Sequence, residues 1–211
     1  MAKLEHRDPN WPEQAIEDAC LAAEDWYRSL PRFPSRVNLS SVVGFRHPAI
    51  LSEQDCVLNF ARFLNQSGVP WDAIHSEVSV SRWLFDDPHP GASAGESRWR
   101  VDLAVIESEP FLAAKLPAKA PGFQFDAFLE FAYISDSWTV PGAMSWGEPA
   151  KSRAKVEADI RKIARYMEGA VSRLGYVIVF EEAESGFSAD LVAEVETESG
   201  CRLRFVRGYG D

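Results

Sequence analysis

The sequence predicts an α/β domain (an α+β arrangement on a mixed sheet) with elements in the order α–α–β–β–β–α–β–α–β. Apolar residues recur at helical spacing in several segments, whereas other, shorter segments have the alternating or continuous apolar character of strands. Of the 211 residues, 46% are hydrophobic, which is enough apolar material for one sizeable core. The pattern therefore favours one domain with a peripheral segment.

Two helices separated by an irregular connection are predicted for the N-terminal part. Asn10 is suited to cap a helix over 13–30, in which apolar residues recur at helical spacing. Residues 31–50 contain Pro, Ser and Gly and favour irregular structure. Ser52 is suited to cap a second helix over 53–66, which has an apolar stripe along one face.

Three strands are predicted to follow, over 75–85, 98–106 and 125–134. Alternation places Asp102 on one face of the second strand and Glu130 on one face of the third. Because these two strands are consecutive, we expect them to pair as an antiparallel hairpin. If their polar faces coincide, the two carboxylates converge on one side of the sheet.

The C-terminal part is predicted to alternate helices with strands. The clearest helix covers 152–168, and the continuously apolar segment 176–180 is typical of a strand buried on both faces. A weaker helix over 189–195 and a last strand over 202–206 complete the chain.

Composition and charge exclude several classes of protein. A net charge of −10 and a pI of about 4.9 argue against a broad nucleic-acid binder, which usually carries a basic stripe. Basic residues do concentrate over 151–165, so a nucleic acid bound in a narrow cleft stays open as a partner, and a protein partner is the other candidate. The three cysteines are far apart, and no stretch is apolar enough to span a membrane. We expect a cytoplasmic protein with no membrane partner.

Asp102 and Glu130 are the strongest functional signal. A carboxylate in an apolar strand is costly to bury unless something pairs with it, and a divalent cation is one such partner. Two carboxylates, a main-chain carbonyl and waters suit the oxygen-only coordination of Mg²⁺. The alternative is a solvated or salt-bridged sheet face, with Arg100 as the natural partner.

The order of these elements resembles the PD-(D/E)xK nuclease superfamily, which has the restriction-endonuclease-like fold. The resemblance covers roughly residues 52 to 180. It implies a helix-β-β-β-helix-β core. We expect the domain to extend over 52–211 with an additional C-terminal helix-strand unit, and an N-terminal helix and irregular connection over 1–51 to pack on the core. The matching pieces are Glu53, Arg-Val-Asp102-Leu-Ala-Val, Phe-Leu-Glu130-Phe-Ala-Tyr and Asp159-Ile-Arg-Lys162.

The resemblance also implies site roles. Asp102 and Glu130 are expected to hold Mg²⁺ (or Mn²⁺) if the protein is active, and Glu53 is expected to support the site. In the family a lysine lies two residues after the glutamate, where it orients the attacking water, but this chain has Ala132 there. Some families with this fold supply the lysine from the following helix instead.

The helix over 152–168 carries two candidate replacements, Lys155 and Lys162. Together with Asp159 and Tyr166 they have the spacing i, i+4, i+7 and i+11, which predicts one shared face, opposite the apolar residues of the helix. That face either points a lysine at the carboxylates or is a solvated surface with i,i+4 ion pairs.

Two hypotheses follow from these observations. The first is a metal-dependent phosphodiester hydrolase of PD-(D/E)xK type, with its lysine moved to the helix. The second is a catalytically inactive module with the same fold, in which Ala132 records the loss of catalysis and the acidic surface serves a protein partner.

Overall fold

The helices and strands follow one another in the predicted order. The computed structural model describes residues 11–30, 53–81, 98–106, 125–134, 149–181, 187 and 189–208. In these residues the helices are α1 (Trp11–Ser29), α2 (Glu53–Gln66), α3 (Pro149–Glu168) and α4 (Ala189–Ser199), with a short 3-10 helix at Trp71–Ala73. The strands are β1 (Ile74–Ser81), β2 (Arg98–Val105), β3 (Phe125–Ile134), β4 (Ser172–Glu181) and β5 (Arg202–Arg207). The predicted mixed α/β class is confirmed.

The five strands form one mixed sheet in the order β1-β2-β3-β4-β5. β1 and β3 both pair with β2 in antiparallel fashion, which confirms the pairing predicted for β2 and β3. β4 runs parallel to both β3 and β5. Parallel neighbours need a crossover connection, and α3 and α4 each lie in the chain between such a pair.

Apolar layers cover both faces of the sheet. On the first face, α1 and α2 pack on residues such as Leu129, Phe131 and Ile178. On the second face, α3 packs on residues such as Phe128 and Val179. The side chains of residues 176–180 in β4 alternate between the two layers and are fully buried, so the prediction of a strand buried on both faces is confirmed.

Gly175 sets how closely α3 approaches the sheet. A Cβ atom at this position would overlap the side chains of Ile163 and Met167 on α3. The missing side chain therefore leaves a notch in β4 that receives one turn of the helix. Because α3 carries both candidate lysines, this contact fixes their height above the sheet.

Strand β2 is irregular at Asp102. The pairing of β1 with β2 skips Glu77 and Asp102, and Glu77 has a left-handed φ of 54°. Beyond this point the alternation changes: Leu103 packs in the first layer, but Val101 packs in the second layer. Simple alternation from the sequence places these two residues on one face, and that expectation is wrong because the strand is distorted between them.

Other predictions lie partly or wholly outside the described residues. These are the caps at Asn10 and Ser52, the connection over 31–50, and the part of the first strand beyond Ser81. β4 and α4 are longer than predicted. No helix in the described ranges is long and apolar enough to cross a membrane.

Candidate active site

Asp102 is bound to the neighbouring strand through its side chain. Its Oδ2 atom accepts a hydrogen bond of 2.9 Å from the main-chain N–H of Phe131 on β3. The pairing of β2 with β3 ends one residue away, at Leu103 and Leu129. The carboxylate thus satisfies a main-chain donor where the regular ladder stops, and this holds Asp102 beside Glu130.

Glu130 is a buried carboxylate in the middle of the sheet. Only 3% of its surface is exposed, and its neighbours on the strand are fully buried. The Nζ atom of Lys162 lies 2.6 Å from Glu130 Oε1. Among the described residues, none donates a well-aligned hydrogen bond to this oxygen, so it retains capacity for a further partner.

The environment of Glu130 disfavours its charge. The pKa of Glu130 is raised from an ordinary 4.5 to about 8, mainly by burial and also by the negative charge of Asp102, whereas Lys162 acts in the opposite direction. Near neutral pH the carboxyl is therefore readily protonated when no additional cation is present. A carboxyl group with such a shift is typical of functional sites, although buried ion pairs can produce it too.

Lys155 is bound by three oxygen atoms from three elements. Its Nζ atom donates 2.7 Å to the main-chain carbonyl of Phe131 on β3 and 3.0 Å to Asp159 Oδ2 on α3. It also lies 3.0 Å from Glu53 Oε2 at the start of α2. We call these three oxygens the ammonium site. It connects both helices to the strand that carries Glu130.

Lys155, Asp159, Lys162 and Tyr166 form one row of side chains along α3, which we call the charged row. Tyr166, predicted to share this row opposite the apolar residues, is fully buried, and its ring packs edge-on against Phe128 at 5.1 Å. Burial and the charge of Glu130 raise the pKa of Tyr166. The row therefore flanks the apolar stripe, so the expectation that it lies opposite is wrong. The solvated-surface alternative does not describe Lys162, which is paired with a buried carboxylate.

The structure brings all five predicted site residues together with one that the sequence did not assign to the site. The five are Glu53, Asp102, Glu130, Lys155 and Lys162, and the addition is Asp159. Burial and the charge of Asp102 raise the pKa values of both Glu53 and Asp159, although Lys155 opposes the rise. With every group ionised, four carboxylates and two ammonium groups leave two negative charges in excess. In the sequence, the i,i+4 spacing of Lys155 and Asp159 already indicates that Asp159 lies close to Lys155.

The residues present fit a hard divalent cation only in part. Their donor atoms are oxygens, which Mg²⁺ and Mn²⁺ accept, and the excess charge matches one divalent ion. However, in the part of the chain that the structure describes, no three His, Cys, Asp or Glu side chains form a group that could hold a metal ion. A cation beside Glu130 would therefore have two carboxylate ligands, with water supplying the others.

Arg100 and Ala132 are further residues named from the sequence. Arg100 pairs with Glu77 at 2.9 Å, so this arginine does not neutralise Asp102 as the salt-bridge alternative requires. Ala132 is 2% exposed and packs in the apolar layer under α3. The position where the family has its lysine is part of the core in this chain.

Comparison with known proteins adds no relative. No family model, curated protein or solved structure gives a significant match to the chain.

Proposed function

We propose that the protein is a metal-dependent phosphodiester hydrolase of PD-(D/E)xK type, in which α3 supplies the lysine. The observation that carries the proposal is the contact of 2.6 Å between Lys162 Nζ and the buried Glu130, beside Asp102. It supports a site in which a helix lysine substitutes for the one that Ala132 replaces. The antiparallel β1-β2-β3 unit, followed by α3 and the parallel β4, supports the restriction-endonuclease-like arrangement.

Each residue has a distinct role in this proposal. Asp102 and Glu130 would hold Mg²⁺ or Mn²⁺, and such an ion would supply Lewis-acid chemistry for the scissile phosphate and an attacking water. Lys162, whose side chain is 26% exposed, donates to that water or to a phosphate oxygen and stabilises developing negative charge. Its flexible stem lets the ammonium move from Glu130 toward substrate. Glu53 supports the site through Lys155.

The chain's charge constrains the substrate. A protein with a net charge of −10 repels phosphate on balance, so affinity for nucleic acid must come from a local region. Lys155 and Lys162 lie on the same face of α3, and the exposed Arg161 lies on the same helix. We therefore expect weak, salt-sensitive binding of short or flexible strands.

Cleavage assays test the proposal directly. Single-stranded and duplex DNA and RNA are incubated with the protein in Mg²⁺, Mn²⁺ or EDTA, and products are separated on denaturing gels. Cleavage should require metal and fall by at least about 100-fold in Asp102→Ala, Glu130→Ala and Lys162→Met, since each removes a group acting in the transition state. Arg161→Met is the matched control, because it removes an exposed cation from the same turn of α3.

The competing function is an inactive module that binds a protein partner. The observation that favours it is the pairing of both lysines with carboxylates, which neutralises part of the site without any metal. Absence of cleavage with every substrate and metal, together with absence of Mn²⁺ binding by calorimetry, would contradict the hydrolase proposal and favour this alternative. Metal-dependent cleavage that persists in both Asp102→Ala and Glu130→Ala would instead indicate a contaminating nuclease and remove the support for our proposal.

A further inference from the structure

The ammonium site has the donor set of a hard-cation site. Two carboxylate oxygens and a main-chain carbonyl surround Lys155 Nζ at 2.7 to 3.0 Å. Mn²⁺ and Ca²⁺ prefer the same oxygen atoms, at about 2.1–2.6 Å, so modest side-chain shifts would adapt the site to either ion. The carbonyl belongs to Phe131, whose N–H donates to Asp102, so the main chain of Phe131 is held through both of its polar groups.

We infer that Lys155 is a built-in cation, whose ammonium occupies a second cation position and keeps divalent metal out of it. This inference rests on the proposed function in one respect, since it assigns Asp102 and Glu130 to a metal and the ammonium site to Lys155. The two lysines then have different roles. Lys162 acts on substrate, whereas Lys155 is a positioning residue that holds α2, α3 and β3 together.

The charges around Lys155 support the role that we assign to it. Glu53 and Asp159 are both partly buried carboxylates, and Asp102 repels them both. Without Lys155 they would lack their nearest positive charge, and the Phe131 carbonyl would lose its side-chain donor. A divalent ion restores both interactions, whereas water restores only the hydrogen bond. Removing the lysine should therefore create a metal site.

Mn²⁺ binding to the full chain tests the inference. Bound Mn²⁺ is counted by electron paramagnetic resonance and by calorimetry in the wild type, Lys155→Met and Lys155→Met/Asp159→Asn. We expect Lys155→Met to bind about one more Mn²⁺ per chain than the wild type, and the added asparagine to remove that gain. Arg161→Met, which also loses one positive charge from α3, should bind as many ions as the wild type.

The comparison separates this inference from the proposed function. The number of ions bound by the wild type and its cleavage of nucleic acid test the proposed function, whereas only the difference between variants tests the role of Lys155. A gain in Lys155→Met would support the inference even if the wild type bound no metal. An equal count in the two proteins, or an equal gain in Arg161→Met, would overturn it.

Folding of the variants is measured by circular dichroism with and without Mn²⁺. Lys155→Gln is a milder second variant, because its amide can still donate to the Phe131 carbonyl. Either variant should have a higher melting temperature in Mn²⁺ than in EDTA, by more than the wild type does. If both variants fail to fold even in Mn²⁺, the inference is overturned, because a bound ion should replace the ammonium.

Discussion

Glu130→Gln should make the stability of the protein less dependent on pH. The folded-state pKa of Glu130 is raised to about 8 from an ordinary 4.5. A raised carboxyl pKa means that the native state binds the proton more tightly than the unfolded state. The stability contributed by protonated Glu130 is therefore complete below about pH 4.5 and is lost as pH rises through about 8. In Glu130→Gln this contribution to stability does not change over the same range, because glutamine stays neutral.

The size of the effect follows from the shift. A rise from 4.5 to about 8 corresponds to at most about 5 kcal/mol, at about 1.4 kcal/mol per pKa unit. Relaxation and water entry lower the cost of a buried charge, so we expect about 2–3 kcal/mol. Between pH 5 and pH 9, the wild type should lose that much stability relative to Glu130→Gln. The hydrogen bonds of the glutamine amide change the free energy of unfolding by an amount that is the same at every pH, so they do not affect this comparison.

Urea unfolding in EDTA, followed by circular dichroism at several pH values from 5 to 9, measures this difference. Glu157→Gln is the matched control, because Glu157 is a half-exposed carboxylate on α3 that pairs with Arg153. It should change stability by less than about 0.5 kcal/mol at every pH. A difference between wild type and Glu130→Gln that stays constant from pH 5 to pH 9 would refute the assignment of a raised pKa to Glu130.

Three further predictions test the surroundings of the site and the packing of the fold. Lys162→Met should be destabilised more at pH 9 than at pH 5, because Lys162 lowers the Glu130 pKa. In the double variant Lys162→Met/Glu130→Gln, urea unfolding should no longer show this pH dependence. Gly175→Ala should cost about 1–3 kcal/mol by urea unfolding, because its Cβ would overlap α3 side chains; an unchanged midpoint would contradict the close contact. Arg204→Met should cost about 2 kcal/mol, because Arg204 donates to Glu17 on α1 and to Glu196 on α4. Its melting temperature should fall, and a wild-type value would show that this network adds no stability.

Much of the fold could be predicted from the sequence because local signals agree. β3 was predicted over 125–134 and occupies the same residues, and β2 differs by one residue at its end. Alternation also placed Asp102 and Glu130 where they could converge. These predictions needed only the side-chain period of a strand and the expectation that consecutive strands pair.

The parts that could not be predicted depend on tertiary contacts. The left-handed φ at Glu77 disturbs the alternation beside Asp102, and no residue type in that segment signals it. The rotation of α3 decides which lysine meets Glu130 and whether Tyr166 is buried, and it is set by contacts such as the notch at Gly175. The binding of Lys155 to the Phe131 carbonyl involves a main-chain atom, which a pattern of side chains does not identify.

The lysine that pairs with Glu130 lies on α3 rather than on β3, and this has a physical consequence. Ala132 lies in the apolar layer, where a lysine would have to bury its ammonium or displace α3. Lys162 instead approaches Glu130 from α3, with 26% of its side chain exposed to solvent. The geometry of the pair then depends on how closely α3 packs on β4, so Gly175 is coupled to the site through its packing against Ile163 and Met167. A larger residue there should loosen the pair of Lys162 and Glu130 before it unfolds the sheet.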